Sequence, residues 1–189
     1  MSVDNNPVYV SLEFTPNPNT LKYVINRELL KKGAANFTQA SEAKDKSPLA
    51  EKLFEVSGIC GVMIGKDFVT VTKDDAGDWD SVHQSASNLI ERHISAGESV
   101  LASDFMQVET PTGQTEAEQK IIQIINDEIR PAVAMDGGDI TFEKYEDGVV
   151  YLYLQGSCSG CPSATMTLKV GIENRLKQVV PEIKEVVSV

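Results

Sequence analysis

The sequence predicts an α/β (α+β) protein made of two small mixed domains joined by a linker. The chain has 189 residues, a length that allows one large domain or two small ones. Its hydrophobic share of 41% and charged share of 24% are close to those of globular proteins that bury a core. Segments with strand-like alternation and segments with helical periodicity are mixed on both sides of an acidic, turn-rich stretch.

That stretch, residues 97–115 (GESVLASDFMQVETPTGQT), has three acidic and no basic side chains and ends in a cluster of turn-forming residues. We therefore predict an N-terminal domain at residues 1–96, a linker at 97–115 and a C-terminal domain at 116–189. The apolar side chains of the linker indicate that part of it docks on a neighbouring domain: Val100, Leu101, Phe105 and Met106.

The first domain contains four strand-like segments rich in β-branched and aromatic residues. They lie at residues 8–14, 21–25, 59–64 and 68–72. Pro16 and Pro18 form a rigid turn between the first two, and Gly65 lies in a hairpin turn between the last two.

Two helices are predicted in the same domain. Ser47 precedes Pro48, a pairing typical of an N-cap and a first helical residue, and this helix extends to about Val56. A second helix begins at Asp78 or Asp80. Its apolar face is spaced at the helical period: Val82, Ala86, Leu89, Ile90 and Ile94.

The C-terminal domain has the predicted order helix, strand, strand, helix, strand. Thr115 and Glu118 are spaced as a capping box, and an isoleucine stripe follows until Pro131, where we expect an end or a kink. Strands are predicted at residues 140–145 and 149–154, a helix from Pro162 to Pro181, and a strand at 183–189. The apolar face of this helix is predicted to comprise Ala164, Leu168, Ile172, Leu176 and Val179.

The net charge of −11 argues against a general nucleic-acid binder, whose affinity depends on Lys and Arg. It also argues against a polybasic membrane-surface protein, and no segment has the ~18 apolar residues needed to span a bilayer. Three cysteines are too few for a disulfide scaffold and favour a reducing compartment. We expect a cytoplasmic protein, with a mature form in the mitochondrial matrix as the alternative.

Cys158 and Cys161 form a Cys-Ser-Gly-Cys motif where a predicted strand gives way to a predicted helix. With Pro162 at the first helical position, Cys161 falls at the N-cap, where the helix dipole lowers the pKa of a thiol. Gly156 and Gly160 allow backbone amides to approach the sulfurs. The two sulfurs can bind one metal ion or two corners of a cluster.

Two thiolates do not complete a tetrahedral site, which takes four ligands. The remaining cysteine, Cys60, lies in the other domain, together with His83 and His93. Two copies of the chain would supply four thiolates to one inorganic centre, which predicts an exposed site at a symmetric dimer interface. A site that opens when two subunits part suits delivery of a cofactor.

Residues 129–131, 136–140 and 156–163 (IRP, DGGDI and GSCSGCPS) together resemble the C-terminal domain of the NifU-like (Nfu) iron–sulfur scaffold and carrier proteins. Residues 14–22 (FTPNPNTLK) are similar to the N-terminal domain that many of those proteins carry. The resemblance covers nearly the whole chain apart from the linker and the first residues.

The resemblance implies a non-enzymatic carrier of a [4Fe–4S] cluster, which is bridged between two subunits by Cys158 and Cys161 of each. It further implies an upstream assembly scaffold, client iron–sulfur apoproteins and a homodimer in the loaded state. The N-terminal domain would contact clients or other partners. The additional cysteine sets of full-length nitrogen-fixation NifU are absent from this sequence, which favours carriage over assembly.

Two alternatives use the same motif: a thiol–disulfide redox protein and a zinc-binding protein. Other residues have plainer interpretations. We interpret residues 136–139 as a turn that needs positive φ, Cys60 as a buried small hydrophobe, and His83 and His93 as residues of a polar helix face without a role.

Overall fold

The protein is described by a computed structural model that covers residues 7–31, 33–103, 115–159 and 162–189, the side chains of 162–165 excepted. The chain divides into two compact units, residues 1–107 and 108–189, and each unit has its own apolar core. Helices and strands are mixed in both units, which confirms the predicted fold class. None of the described helices combines the length and apolar character needed to traverse a lipid bilayer.

The first unit is an antiparallel sheet with helices packed on one face. The strand order is β1-β2-β5-β4-β3, and neighbouring strands are antiparallel throughout. The elements are β1 (Val10–Phe14), β2 (Thr20–Ile25), β3 (Ala35–Phe37), α1 (Ala40–Ala43), α2 (Pro48–Phe54), β4 (Ile59–Ile64), β5 (Phe68–Lys73) and α3 (Trp79–Ser95). The four predicted strands and two predicted helices are confirmed, whereas β3 and α1 are too short to produce a periodic signal.

Helix α2 begins as the sequence predicts. The hydroxyl Oγ of Ser47 accepts a hydrogen bond from the backbone N–H of Ala50 at 3.1 Å, with Pro48 at the first helical position. The same hydroxyl donates to the carbonyl oxygen of Val100 at 2.7 Å, and Val100 and Leu101 pack against the core of this unit. Docking is thus confirmed for these two residues; Phe105 and Met106 lie outside the described residues.

The second unit has the predicted order of elements. They are α4 (Glu116–Ile124), a π-helical turn (Ile125–Ile129), α5 (Arg130–Met135), β6 (Gly138–Glu146), β7 (Val149–Gly156), α6 (Pro162–Val179) and β8 (Glu185–Ser188). The sheet order is β6-β7-β8, with β6 and β7 antiparallel and β7 and β8 parallel. Thr115 and Glu118 form the expected capping box.

Pro131 does not end the helical segment, so of the predicted end or kink the end is excluded. The N–H of Arg130 donates to the carbonyl of Ile125, five residues back, and α5 continues past Pro131 to Met135. Proline lacks an N–H group and its ring crowds the preceding turn, so a wider π-helical turn accommodates it. The helix ends at Met135, and the φ of +78° at Gly137 confirms a turn with positive φ.

The strands of the second unit extend further than predicted, because β6 begins at Gly138 and β7 continues to Gly156. Asp147 and Gly148, both with positive φ, form the hairpin turn. On α6, Ile172 and Leu176 are buried as expected. Val179 is 40% exposed and Val180 is buried in its place; the side chain of Ala164 is outside the described set.

Candidate metal centre

Cys158 lies in the short turn that connects β7 with α6. The φ of Gly156 is +63°, which turns the chain out of the strand, and the N–H of Ser159 donates to the carbonyl oxygen of Gly156 at 3.1 Å. Pro162 is the first residue of α6, as expected from the sequence. Cys161, the second predicted ligand, and Gly160 lie outside the described residues.

The side chain of Cys158 is buried, contrary to the expectation of an exposed site. It is 7% exposed and forms part of the core of the second unit. Burial raises the pKa of its thiol to about 11, and the negative charges of Asp136 and Asp139 add to the rise. At neutral pH this residue is therefore a thiol, and iron would replace its proton.

The loop that ends α5 lies directly against the Cys158 turn. Ser157 Oγ donates to the carbonyl of Asp136 at 2.5 Å, and the N–H of Ser157 donates to the carbonyl of Gly137 at 3.1 Å. The sequence suggested no more than a turn for residues 136–139. The carbonyl groups of this turn also accept hydrogen bonds from Ser157, the residue that precedes the predicted ligand Cys158.

Gly138 provides the space that the sulfur of Cys158 occupies. It pairs with Gly156 in the β6–β7 ladder, and a Cβ atom built on Gly138 would lie 2.4 Å from Cys158 Sγ and 3.1 Å from a methyl group of Val133. Any side chain larger than hydrogen would displace the thiol. Sequence reasoning did not identify this role, although the Gly-Gly pair in the motif was the available signal.

Arg130 and Asp139 form a bidentate ion pair beside this loop. The guanidinium Nε and Nη2 lie 2.8 and 2.7 Å from the two carboxylate oxygens of Asp139, and Nη1 donates to Asn126 at 3.1 Å. The Asp139 side chain is 9% exposed and that of Arg130 is 22% exposed. Because Asp139 immediately follows Gly138, this pair fixes the start of β6 to the helix that packs on it.

The other candidate residues lie in the first unit. Cys60 is exposed, not buried as expected, because it is the extra residue of a bulge in β4 between Ile59 and Gly61. His93 is 2% exposed rather than on a polar face, and its Nε2 lies 3.0 Å from the carbonyl of Ser99. His83 stacks on the ring of Tyr23.

No group of three or more His, Cys, Asp or Glu side chains that could hold a metal ion occurs among residues 7–31, 33–103, 115–159 and 162–189. Of the two predicted cluster ligands, Cys158 and Cys161, Cys158 is the one that the structure describes.

Comparison with known proteins assigns both units to one family. Residues 121–187 match the model of the NifU-like domain, and residues 10–97 match that of the scaffold protein Nfu/NifU N terminal. A Drosophila persimilis protein is 36% identical over 190 residues, with 100% of this chain and 67% of the relative covered. The chain belongs to the Nfu family.

A human member of the Nfu family is 35% identical over 189 residues, with 96% of this chain and 72% of the relative covered. Both relatives are named NFU1 iron-sulfur cluster scaffold homolog, mitochondrial. The chain spans about two thirds of the length of the curated relatives it matches. A solved NifU-like protein from Saccharomyces cerevisiae has a TM-score of 0.49 at 22% identity, covering 55% of this chain and 93% of that one.

Proposed function

We propose that this Nfu protein binds a [4Fe–4S] cluster through Cys158 and Cys161 of two copies of the chain and transfers it to iron–sulfur apoproteins. The observation that carries the proposal is the match of residues 121–187, which contain Cys158 and Cys161, to the NifU-like domain. Because Cys158 is buried in the metal-free fold, the turn that holds it must open when its sulfur binds a shared cluster. The names of the relatives support the scaffold role.

The donor set of the second unit suits the proposed cargo. Thiolates are the ordinary ligands of iron–sulfur clusters, and a four-iron cluster takes four of them. The second unit has two cysteines, and Cys60 lies on an exposed bulge of the first unit. Two copies of the second unit therefore complete the ligand set without Cys60.

The cluster would be the main link between the two copies. Each chain carries a net charge of −11, so two chains repel one another at moderate ionic strength. Met135 and Met166 are 72% and 70% exposed and lie close in sequence to Asp136 and Cys161. We propose that the second copy covers these two side chains in the loaded dimer.

Transfer would proceed by stepwise exchange of the cysteine thiolates of the carrier for those of a client. The client provides a more complete and better buried site, which supplies the driving force. The proposed partners are client iron–sulfur apoproteins and an upstream scaffold that donates the cluster. The protein would act as a carrier and not as an enzyme.

The organisation proposed for these steps is a partner-contact domain at residues 1–96, a linker at 97–115 and a cluster-binding domain at 116–189. The compartment is a reducing one. Composition predicts the cytoplasm, and the names of the relatives favour the alternative, the mitochondrial matrix.

Anaerobic reconstitution with iron and sulfide tests the proposal. We expect about four iron and four sulfide per two chains, a loaded species with the mass of a dimer, and release of the cluster to an apoprotein that lacks one. Cys158→Ser and Cys161→Ser should each abolish loading, whereas Cys60→Ser should load like the wild type.

Three outcomes would contradict it. A loaded monomer would exclude the bridged site. Stoichiometric zinc with no capacity for iron would favour the zinc alternative. Rapid turnover of a disulfide substrate that depends on Cys158 and needs no iron would favour the redox alternative.

A further inference from the structure

One edge of β1 is bordered by no other strand among the described residues, where β1 pairs with β2 alone. The carbonyl of Tyr9 accepts from the N–H of Asn26, and hydrogen-bonded residues alternate along an antiparallel pair. The N–H and C=O groups of Val10, Leu12 and Phe14 therefore point away from the sheet, toward the edge.

The side chains at the same edge are apolar and exposed. Leu12 is 36% exposed and Phe14 is 85% exposed. They lie opposite Tyr23 and Leu21 of β2, on the face of the sheet that carries the core, where Tyr23 is fully buried. Proteins usually protect an edge of this kind with charges or prolines, because it can pair with another chain.

Helix α3 forms a wall beside these side chains. The ring of Tyr23 stacks on His83 with 5.8 Å between centroids, and the Tyr23 hydroxyl lies 3.3 Å from His83 Nδ1. Because Leu12 lies directly opposite Tyr23, the apolar side chains of β1 lie beside the α3 face that carries His83. That face lines a shallow cavity of about 410 Å³ and comprises Asp80, His83, Gln84, Ser87 and Asn88.

One end of this region is acidic. The indole N–H of Trp79 donates to the carbonyl of Pro18 at 2.9 Å, which holds the start of α3 against the turn that follows Phe14. Four exposed carboxylates lie at or just before this start, with Lys73 beside them over the Trp79 ring: Asp74, Asp75, Asp78 and Asp80. Together with the net charge of −11, they favour a basic occupant over a second copy of the chain.

We propose that the β1 edge and the adjoining face of α3 bind an extended segment of a partner protein, which adds a strand to the sheet. Backbone hydrogen bonds to Val10, Leu12 and Phe14 would supply affinity, and apolar side chains at alternate positions of the segment would contact Leu12 and Phe14. Basic residues of the segment would face the acidic start of α3. This site does not involve Cys158 or Cys161 and is independent of cluster binding.

A random heptapeptide display library selected on the full chain tests the proposal. Leu12→Pro removes an outward N–H that makes no bond to β2, and proline is tolerated at such edge positions. Phe14→Ala removes the large apolar side chain that is most exposed among the described residues, at 85%. Ser11→Ala, on the other face of the same strand, is the matched control.

We expect enriched peptides that alternate apolar with basic residues and shift the amide NMR signals of Leu12 and Phe14. Their affinity should fall at least tenfold for Leu12→Pro and for Phe14→Ala and change less than twofold for Ser11→Ala. If circular dichroism shows that Leu12→Pro is unfolded, the affinities of Phe14→Ala and Ser11→Ala are compared instead.

The proposal is overturned if no sequence is enriched, or if the selected peptides bind both β1 variants as tightly as the wild type. It is also overturned if the cluster-free chain forms dimers that Phe14→Ala dissociates, since a second copy would then occupy the edge.

Discussion

Gly138 and Cys158 are in such close contact that a Cβ atom on residue 138 would lie 2.4 Å from the sulfur of residue 158. The backbone of β6 thus forms one wall of the thiol position. The identity of residue 138 consequently decides where the predicted ligand can lie.

We expect Gly138→Ala to destabilise the second unit and to impair cluster loading. The added methyl group must displace the Cys158 sulfur, and it also crowds the methyl group of Val133, 3.1 Å away; overpacking of this kind costs about 1–3 kcal/mol. The free energy of unfolding in urea and the iron content after anaerobic reconstitution measure the two effects.

Gly171→Ala is the matched control, because an added Cβ meets nothing within 4 Å. Gly171 lies inside α6, so alanine there should stabilise the unit by about 0.5–1 kcal/mol. Full loading and unchanged stability of Gly138→Ala would contradict the proposed role of Gly138.

Loss of the Arg130–Asp139 pair should destabilise the unit more than loss of a surface pair. Asp139→Asn leaves the largely buried guanidinium of Arg130 without a charged partner. We expect the free energy of unfolding to fall by about 2–3 kcal/mol. Arg130→Lys should also be costly, because lysine cannot form the bidentate contact seen at 2.7 and 2.8 Å.

Lys120 and Glu116, an exposed pair on α4, provide the comparison. Glu116→Gln should change the stability by less than about 0.5 kcal/mol. A double-mutant cycle on residues 130 and 139 separates their interaction from effects on each residue alone; a coupling energy near zero would show that the pair does not fix β6 to the helix.

The sequence predicted most elements because their signals are local. Ser47 and Pro48 indicated the start of α2, and Thr115 and Glu118 that of α4, since caps depend on residues three positions apart. At Pro131 the sequence left an end and a kink open, because a π-helical turn has no sequence signature of its own. Cys60 was placed in the core because its neighbours are apolar, and the bulge that exposes it depends on the register with β5.

For the candidate site, sequence identified Cys158 and Cys161 but not the surroundings of Cys158. The burial of its thiol results from the packing of β6, α5 and the turn after β7, which are distant in the chain. The helix dipole argument applied to Cys161, whereas desolvation dominates at Cys158 and raises its pKa. The Arg130–Asp139 pair likewise depends on tertiary contact.

Ser47→Ala should destabilise the first unit by about 1–2 kcal/mol. The fully buried hydroxyl both caps α2 and donates to the carbonyl of Val100, so alanine leaves two backbone groups without this partner. Thermal unfolding followed by the fluorescence of Trp79 measures the loss. Ser85→Ala, at an exposed position inside α3, should have an effect below about 0.5 kcal/mol, and an equally small effect of Ser47→Ala would refute the prediction.

The stability of the metal-free, reduced protein should fall at alkaline pH. The folded chain holds the Cys158 proton with a pKa of about 11, whereas an unfolded cysteine has a pKa near 8.5. The resulting stabilisation is complete below the unfolded pKa and is lost as the pH rises from about 9 to about 11. We expect a loss of up to about 2–3 kcal/mol over this window, measured by urea unfolding with circular dichroism, and a shallower pH dependence for Cys158→Ala. Identical slopes for the two proteins would contradict the prediction.

Removal of the cluster should convert the loaded dimer into monomers of 20.6 kDa. Each chain contributes a net charge of −11, so the cluster-free chains repel one another, and the iron–sulfur bonds are the proposed link between them. Anaerobic chelation of the reconstituted protein, followed by light scattering on a size-exclusion column, measures the change.

Because salt screens the repulsion but does not restore the link, the chelated protein should stay monomeric between about 0.05 and 0.5 M salt. Cys60→Ser should dissociate in the same way as the wild type. A chelated protein that keeps the mass of a dimer at the same concentration would show that protein contacts, and not the cluster, hold the two chains together.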